Sequence, residues 1–215
     1  MELPPVTLLI LAGGASSRMG LDKASLPFPG PDDEPMIRRP HDRLRPVWWE
    51  CIVAGPSTFS LDCRAVADVV GVPGPLGGLL AGLVASQSEL VLATAADTPF
   101  PSCELASALI LMAASRPHAE ATFCLRDRRI EPLFAVYRKT AVTALTKAAG
   151  RLSGPHGLGL REAATALAQA QVPEIDWRRW DPDAASFRGC NTPLELAEAV
   201  RSAASEKEVQ SERLV

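Results

Sequence analysis

The stretch LAGGASSRMGLDKA, Leu11 to Ala24, sets Gly13 and Gly14 directly after an apolar run and follows them with Arg18, Gly20 and Lys23. Paired glycines let a backbone approach a ligand closely and adopt positive φ, so that successive amides can form a nest for an anion. Arg18 offers a planar fork for phosphate oxygens and Lys23 a compact point charge. The pattern is neither the P-loop, since Leu21 follows Gly20 where a lysine belongs, nor the GxGxxG dinucleotide fingerprint. The chemistry it suits is polyphosphate binding; the plainer reading is a surface turn with incidental cations.

Asp97, in ATAADTPF, stands at the end of the apolar run LVLATAA. A carboxylate there is held at a strand mouth and can bind magnesium, whose other positions phosphate oxygens and water fill. The competing reading is a helix cap for the segment starting near Pro101. A third stretch, GVPGPLGGLLAGL from Gly71 to Leu83, leads glycine and proline into an apolar helix whose N-terminal amides can face a ligand, with Asp68 just upstream as a hydroxyl or metal partner. His41, His118 and His156 share no metal-ligand spacing and read as surface or structural residues. Trp48-Trp49, Trp177 and Trp180 read as packing residues. Arg126, Arg128 and Arg129 lie between two strands, within reach of an anionic substrate. No Ser/His/Asp arrangement points to covalent chemistry.

The elements that position these residues alternate. Strands are expected at Val6 to Leu11, Cys51 to Ala54, Ala65 to Val70, Leu90 to Ala96, Ala119 to Leu125 and Leu133 to Tyr137, with a short edge piece at Phe187 to Cys190. Helices are expected at Met36 to Leu44, Leu76 to Ser86, Cys103 to Ser115, Thr140 to Ala149, Leu160 to Ala170 and from Pro193 to about Ala204. The last opens on Thr192-Pro193-Leu194-Glu195, a capping-box signature with proline at the first helical position. Strand and helix in alternation predict an α/β, three-layer fold with a mostly parallel, doubly wound sheet, whose ligand sits at the carboxyl ends of the strands. Pro27 to Pro35 reads as a surface loop.

At 215 residues the chain is expected to form one domain over 1–204, with 205–215 as a frayed tail. A net charge of -3 with 22% charged residues gives no global basicity, which argues against a nucleic-acid partner and makes anion binding local. The run VTLLILA is too short for a membrane span and lacks a basic flank. Five cysteines, Cys51, Cys63, Cys103, Cys124 and Cys190, show neither a CxxC pair nor regular spacing and read as reduced thiols of a cytoplasmic protein.

Taken in order, LAGGASSRMGLDKA, PGPLGGL, ATAADTP, EPLFAVY and CNTPLEL resemble the molybdenum cofactor guanylyltransferases, the MobA-like nucleotidyltransferases, over roughly residues 6–200. The resemblance implies a nucleotide-diphospho-sugar-transferase-like fold and transfer of GMP from GTP to molybdopterin with the help of Mg2+, releasing pyrophosphate. By position it implies backbone contacts to the nucleotide from Leu11, Ala12, Gly13 and Gly14, phosphate contacts from Lys23, a nucleotide-positioning carboxylate at Asp68, and a magnesium-binding one at Asp97. Asn191 matches an asparagine near the active site and is a second candidate metal ligand. Arg18, Lys23 and Asp97 are the candidate catalytic residues. The family's frequent asparagine after the second strand is matched by Gly55, the first asparagine of its NVNTP form by Gly189, and residues 31–34 look like an insertion. Its protein partners would be molybdoenzymes or their chaperones. A CTP-using relative, another nucleotidyltransferase and a non-catalytic nucleotide-binding adaptor are the alternatives.

Overall fold

The computed structural model describes residues 2–13, 23–28, 34–55, 61–151 and 159–212, of which Lys23 and 204–212 are described by backbone alone. The first apolar run forms β1 (Val6–Leu11), buried at every position. It lies between two parallel neighbours, β2 (Glu50–Ala54) and β4 (Leu90–Ala95), with Leu9 opposite Ile52 on one side and Ala93 on the other. A strand covered on both faces is apolar throughout instead of alternating, which is why VTLLIL and LVLATA read as continuous runs. β3 (Arg64–Val66), β5 (Ala121–Arg126), β6 (Arg129–Arg138) and β7 (Gln169–Val172) complete a seven-stranded sheet in the order β3-β2-β1-β4-β6-β5-β7. Only β6 runs against its neighbours.

Alternate residues of β1 feed different layers. Val6, Leu8 and Ile10 pack on the face covered by α3 (Cys103–Ser115), by Ile37 and Leu44, which flank α1 (Arg38–Arg43), and by Trp177 of α6 (Glu174–Trp177). Leu9 and Leu11 face α2 (Pro75–Ala85), α4 (Ala141–Gly150) and α5 (Leu160–Ala164). Each such fully buried side chain contributes about 1.5–3 kcal/mol, so both layers are anchored through one strand. A smaller cluster of Phe28, Met36, Cys190 and Ala203 seats α7 (Pro193–Glu212) against Phe28 and Met36. The β1–β4 boundary is where the chain, having built β2 and β3 on one side, crosses to the other. A crevice outside the carboxyl ends of the strands is expected at such a switch point.

Several expectations are corrected. Leu160 to Ala170 is not one helix: α5 stops at Ala164 and 169–172 form β7, parallel to β5. Alanine and glutamine favour helix locally, but β5 would otherwise be left as a long exposed edge. Phe187 to Cys190 is not a strand; a 3-10 turn (Ala185–Phe187) leads into a loop in which the Cys190 amide donates to the Asp97 carbonyl at 2.8 Å. α7 continues to Glu212, beyond the end expected near Ala204, because Glu, Lys and Gln are good helix formers even with little to bury. The cysteines are not all thiols: Cys51 and Cys63 form a disulfide with Cα atoms 4.7 Å apart, while Cys103, Cys124 and Cys190 are outside any disulfide. Parallel pairing of β2 with β3 sets the starts of the two strands side by side, an adjacency that a separation of 12 residues conceals. Among the described residues no helix is long and apolar enough to cross a membrane.

Candidate active site

At the carboxyl end of β1 the chain turns out of the sheet through Ala12 and Gly13, whose amides both donate to the Ala54 carbonyl, at 2.8 and 3.1 Å. This ties the first turn of the glycine segment to the end of β2. On the other side the Ala96 amide donates to the Leu11 carbonyl at 3.0 Å, so the ends of β1 and β4 are joined as well. Between them opens a cavity of about 380 Å³, lined by Leu11, Ala12 and Gly13 from the first turn and by Thr94 to Thr98 from the second.

Asp97 sits two residues beyond β4, half-buried, in the wall of this cavity. It is not the cap of the following helix. That role falls to Ser102, whose hydroxyl accepts from the Leu105 amide at 3.1 Å. Opposite Asp97 stands the loop 188–191, held at its far end by the predicted capping box: the Glu195 carboxylate accepts from the Asn191 and Thr192 amides at 2.7 and 2.8 Å, and the Thr192 hydroxyl accepts from the Glu195 amide. Gly189 lies between the two side chains, since a Cβ placed there would be 3.1 Å from Asn191 Nδ2 and 3.3 Å from Asp97 Oδ1. Asp97 and Asn191 are therefore neighbours across one small residue. The atoms that face each other there are a carboxylate oxygen of Asp97, a hard donor of the kind magnesium takes, and the amide nitrogen of Asn191.

Asp68 reaches the site from the opposite flank. Its carboxylate lies against the backbone of Gly13 so closely that a Cβ at that position would stand 2.7 Å from Oδ2, and it also abuts Gly78 in the first turns of α2. Oδ1 is buried without a hydrogen-bond partner, and burial raises the carboxyl pKa above its usual value. A desolvated carboxylate oxygen with nothing to accept from is costly unless a ligand supplies a donor or a cation. Thr94 repeats the pattern inside the cavity, with a buried hydroxyl that also lacks a partner.

Of the residues singled out in the sequence, Leu11, Ala12, Gly13, Asp97 and Asn191 line one crevice, and Asp68 packs against its Gly13 wall. Lys23 begins a 3-10 turn (Lys23–Ser25) whose next residue, Ala24, lines the cavity. Gly14 and Arg18 lie outside the described residues. Gly55 has φ of 137° and presses on the first turn: a Cβ there would meet Gly13 N at 2.7 Å and Ala12 C at 2.9 Å. A side chain at this φ would clash with the backbone of the glycine turn, so glycine is the residue that fits here.

Residues that the sequence did not announce also line the crevice: Glu131, Phe134, Ser186 and Phe187. Phe134 is buried at φ 60°, on β6 near the point where that strand slips register with β5. Backbone strain and bulges of this kind occur where a side chain is re-aimed toward a site. Glu131 pairs with Arg126 and Arg161, at 3.3 Å each, so one of the three arginines considered as anion ligands is engaged by a carboxylate. A positive φ on an aromatic in an apolar strand leaves no sequence signal. A second cavity, of about 850 Å³, meets the first at Phe187, Gly189 and Asn191 and is bordered by Arg43, Arg126, Arg188 and Trp180.

Comparison with known proteins follows the same lines. The MobA-like NTP transferase domain matches residues 8–172. A probable molybdenum cofactor guanylyltransferase of Peptoclostridium acidaminophilum is 30% identical over 210 residues, 93% of this chain and 90% of its own. A molybdenum cofactor guanylyltransferase of Pseudomonas putida is 34% identical over 177 residues, 78% and 89% of the two chains. Among solved structures, molybdopterin-guanine dinucleotide biosynthesis protein A of Archaeoglobus fulgidus superposes with a TM-score of 0.76 at 19% identity, covering 93% of this chain and 99% of that one. The 2-C-methyl-D-erythritol 4-phosphate cytidylyltransferase of Thermus thermophilus follows at 0.64 and 19%, covering 95% and 100%.

Proposed function

Since the chain belongs to the MobA-like NTP transferase family and is a nucleotidyltransferase, we propose that it transfers GMP from GTP to the terminal phosphate of molybdopterin, releasing pyrophosphate. The observation that carries this reading is the convergence of the Leu11–Gly13 turn, the unpartnered Asp68 oxygen and Asp97 at the switch point of the sheet.

In this reading the backbone of Leu11, Ala12 and Gly13 seats the nucleotide, and Asp68 accepts from one of its hydroxyl or N–H groups. Arg18 and Lys23 take the phosphates. The acceptor enters from the second cavity, where Arg43, Arg126 and Arg188 stand among the carboxylates of Glu104, Asp181, Asp183, Glu195 and Glu198, and Trp180 offers a flat face. The acceptor phosphate attacks the α-phosphate in line, and pyrophosphate leaves from the side of Lys23. The nucleophile is already ionised, so no side chain acts as a base. The obstacle is charge: two anions about 4 Å apart repel by roughly 4 kcal/mol at an effective dielectric near 20. Magnesium held by Asp97, with Asn191 beside it, would supply charge neutralisation on the phosphates. Positioning by a rigid sheet end provides the remainder. The compartment that suits this reading is the cytoplasm, and molybdoenzymes or their chaperones would receive the product.

The test is purified protein with GTP, Mg2+ and molybdopterin, followed by pyrophosphate release. Asp97→Ala should lower turnover about a hundredfold or more, the usual scale for losing one electrostatic stabiliser, with thermal stability retained. Unchanged turnover in that variant overturns the assignment of Asp97. Competition between GTP and CTP separates the cytidylyl alternative, and nucleotide binding with no pyrophosphate release from any acceptor identifies an adaptor.

A further inference from the structure

At the opposite end of β2 from the nucleotide crevice, three side chains that favour soft metals meet. A ring nitrogen of His41 and the sulfurs of Cys51 and Cys63 all lie within 4.8 Å of one another. They come from α1, the start of β2 and the residue before β3, and no sequence spacing links them. His41 is 7% exposed, and its two ring nitrogens are treated differently. Nδ1 is 2.5 Å from the Asp42 carboxylate, whereas Nε2 is buried with no hydrogen-bond partner. A structural histidine in the core is expected to satisfy both nitrogens, because an unpartnered buried nitrogen costs about 1–3 kcal/mol. A carboxylate on one nitrogen with the other left bare is instead the arrangement by which a second residue orients an imidazole for a metal. Trp48 closes the site from the side, its ring 5.2 Å from that of His41, and Cys63 is partly open to solvent.

We infer that His41, Cys51 and Cys63 form a binding site for a soft divalent metal of the zinc class, filled when the Cys51–Cys63 disulfide is opened to two thiols. The opening takes two electrons and two protons from a dithiol reductant, which leaves as its own disulfide. The metal then displaces both thiol protons and is held by two thiolates and the neutral Nε2, with a fourth position toward solvent. The ligands are those of a Cys2His set, which zinc accepts in three-protein-ligand sites. The metal itself undergoes no redox change. Disulfide and metal are alternative links between the same two strand starts. Each ties β3, and so the approach to Asp68 five residues beyond Cys63, to the body of the sheet. A reducing compartment, which disfavours the disulfide, favours the metal form.

The test uses the whole protein, reduced with dithiothreitol, freed of reductant without air and titrated with Co2+ or Zn2+. One equivalent of metal should protect two thiols from alkylation, and Co2+ should give a thiolate-to-metal charge-transfer band. His41→Ala and Cys63→Ser should each abolish the band, and Asp42→Asn should weaken binding roughly 10- to 100-fold. Cys63→Ser, at a partly open position, guards against misfolding of a variant at the buried Cys51. The same band must persist in Asp97→Ala, which separates this site from the magnesium site. Metal binding that leaves all thiols reactive, or survives His41→Ala at full strength, overturns the inference. So does a pair that oxidised dithiothreitol, added as the two-electron oxidant, closes to the disulfide as readily with excess metal as without it.

Discussion

Replacing Gly55 by alanine puts a methyl group 2.7 Å from the Gly13 amide nitrogen and 2.9 Å from the Ala12 carbonyl carbon. Both are backbone atoms, and both residues are hydrogen-bonded to the Ala54 carbonyl, so neither can yield without loosening the turn that ends β1. Side chains also rarely adopt the φ of 137° found here. Strain at such a backbone position costs about 1–3 kcal/mol and overpacking a further 1–3 kcal/mol. The combined penalty is therefore about 2–6 kcal/mol if the turn holds, which lowers Tm by roughly 4 to 24 °C in a chain of this size. If the turn gives way, the same free energy appears as lost nucleotide affinity. Gly55→Asn, which restores the residue common in the family, should behave no better than Gly55→Ala. Calorimetric unfolding and GTP titration of both variants measure the two routes together. A Gly55→Asn protein with unchanged Tm and tighter GTP binding would refute the reasoning and make Gly55 a lost nucleotide contact.

Two further predictions concern carboxylates of opposite character. Burial raises the Asp68 pKa above 3.8, so its ionised form opposes folding: its stabilising contribution is complete below that pH and is lost as pH rises through the folded value. Asp68→Asn should raise Tm at pH 7, lose this advantage toward pH 4 and weaken nucleotide binding; a variant that lowers Tm while binding normally contradicts it. Glu50 is the reverse case. Its burial pushes the pKa up, but hydrogen bonds from the Gln87 amide, Thr7 and Arg64 outweigh this and hold it below the usual 4.5. Its stabilisation is present above 4.5 and lost as pH falls through the lower folded value. Glu50→Gln should cost about 1–3 kcal/mol at pH 7 in urea unfolding, with the gap closing in acid; a pH-independent difference would show that charge is not the cause.

The parts of the fold that were legible are those whose signal is local. Val6 to Leu11 is apolar at every position because both faces of the strand are covered, and that reads directly as a central parallel strand. Cys103 to Ser115 is an alanine- and leucine-rich helix, and Thr192 to Glu195 carries its capping box in four letters. β7 was misread because its residues favour helix by themselves and become a strand only when β5 offers an edge. Residue types and their order likewise single out Leu11 to Gly13 and Asp97, which the structure places in the wall of one cavity.

The amino-acid sequence by itself determined the layer architecture and the family, because periodicity, caps and turn residues act over a few positions. Only the tertiary structure decided that Asp97 leaves helix capping to Ser102, that Asp68 keeps a bare oxygen against Gly13, and that Gly55 closes on the turn. It also joined Cys51, Cys63 and His41. The reason is that pairing of parallel strands sets distant residues at the same height in the sheet. Neither that register nor the burial it creates is encoded in the spacing along the chain.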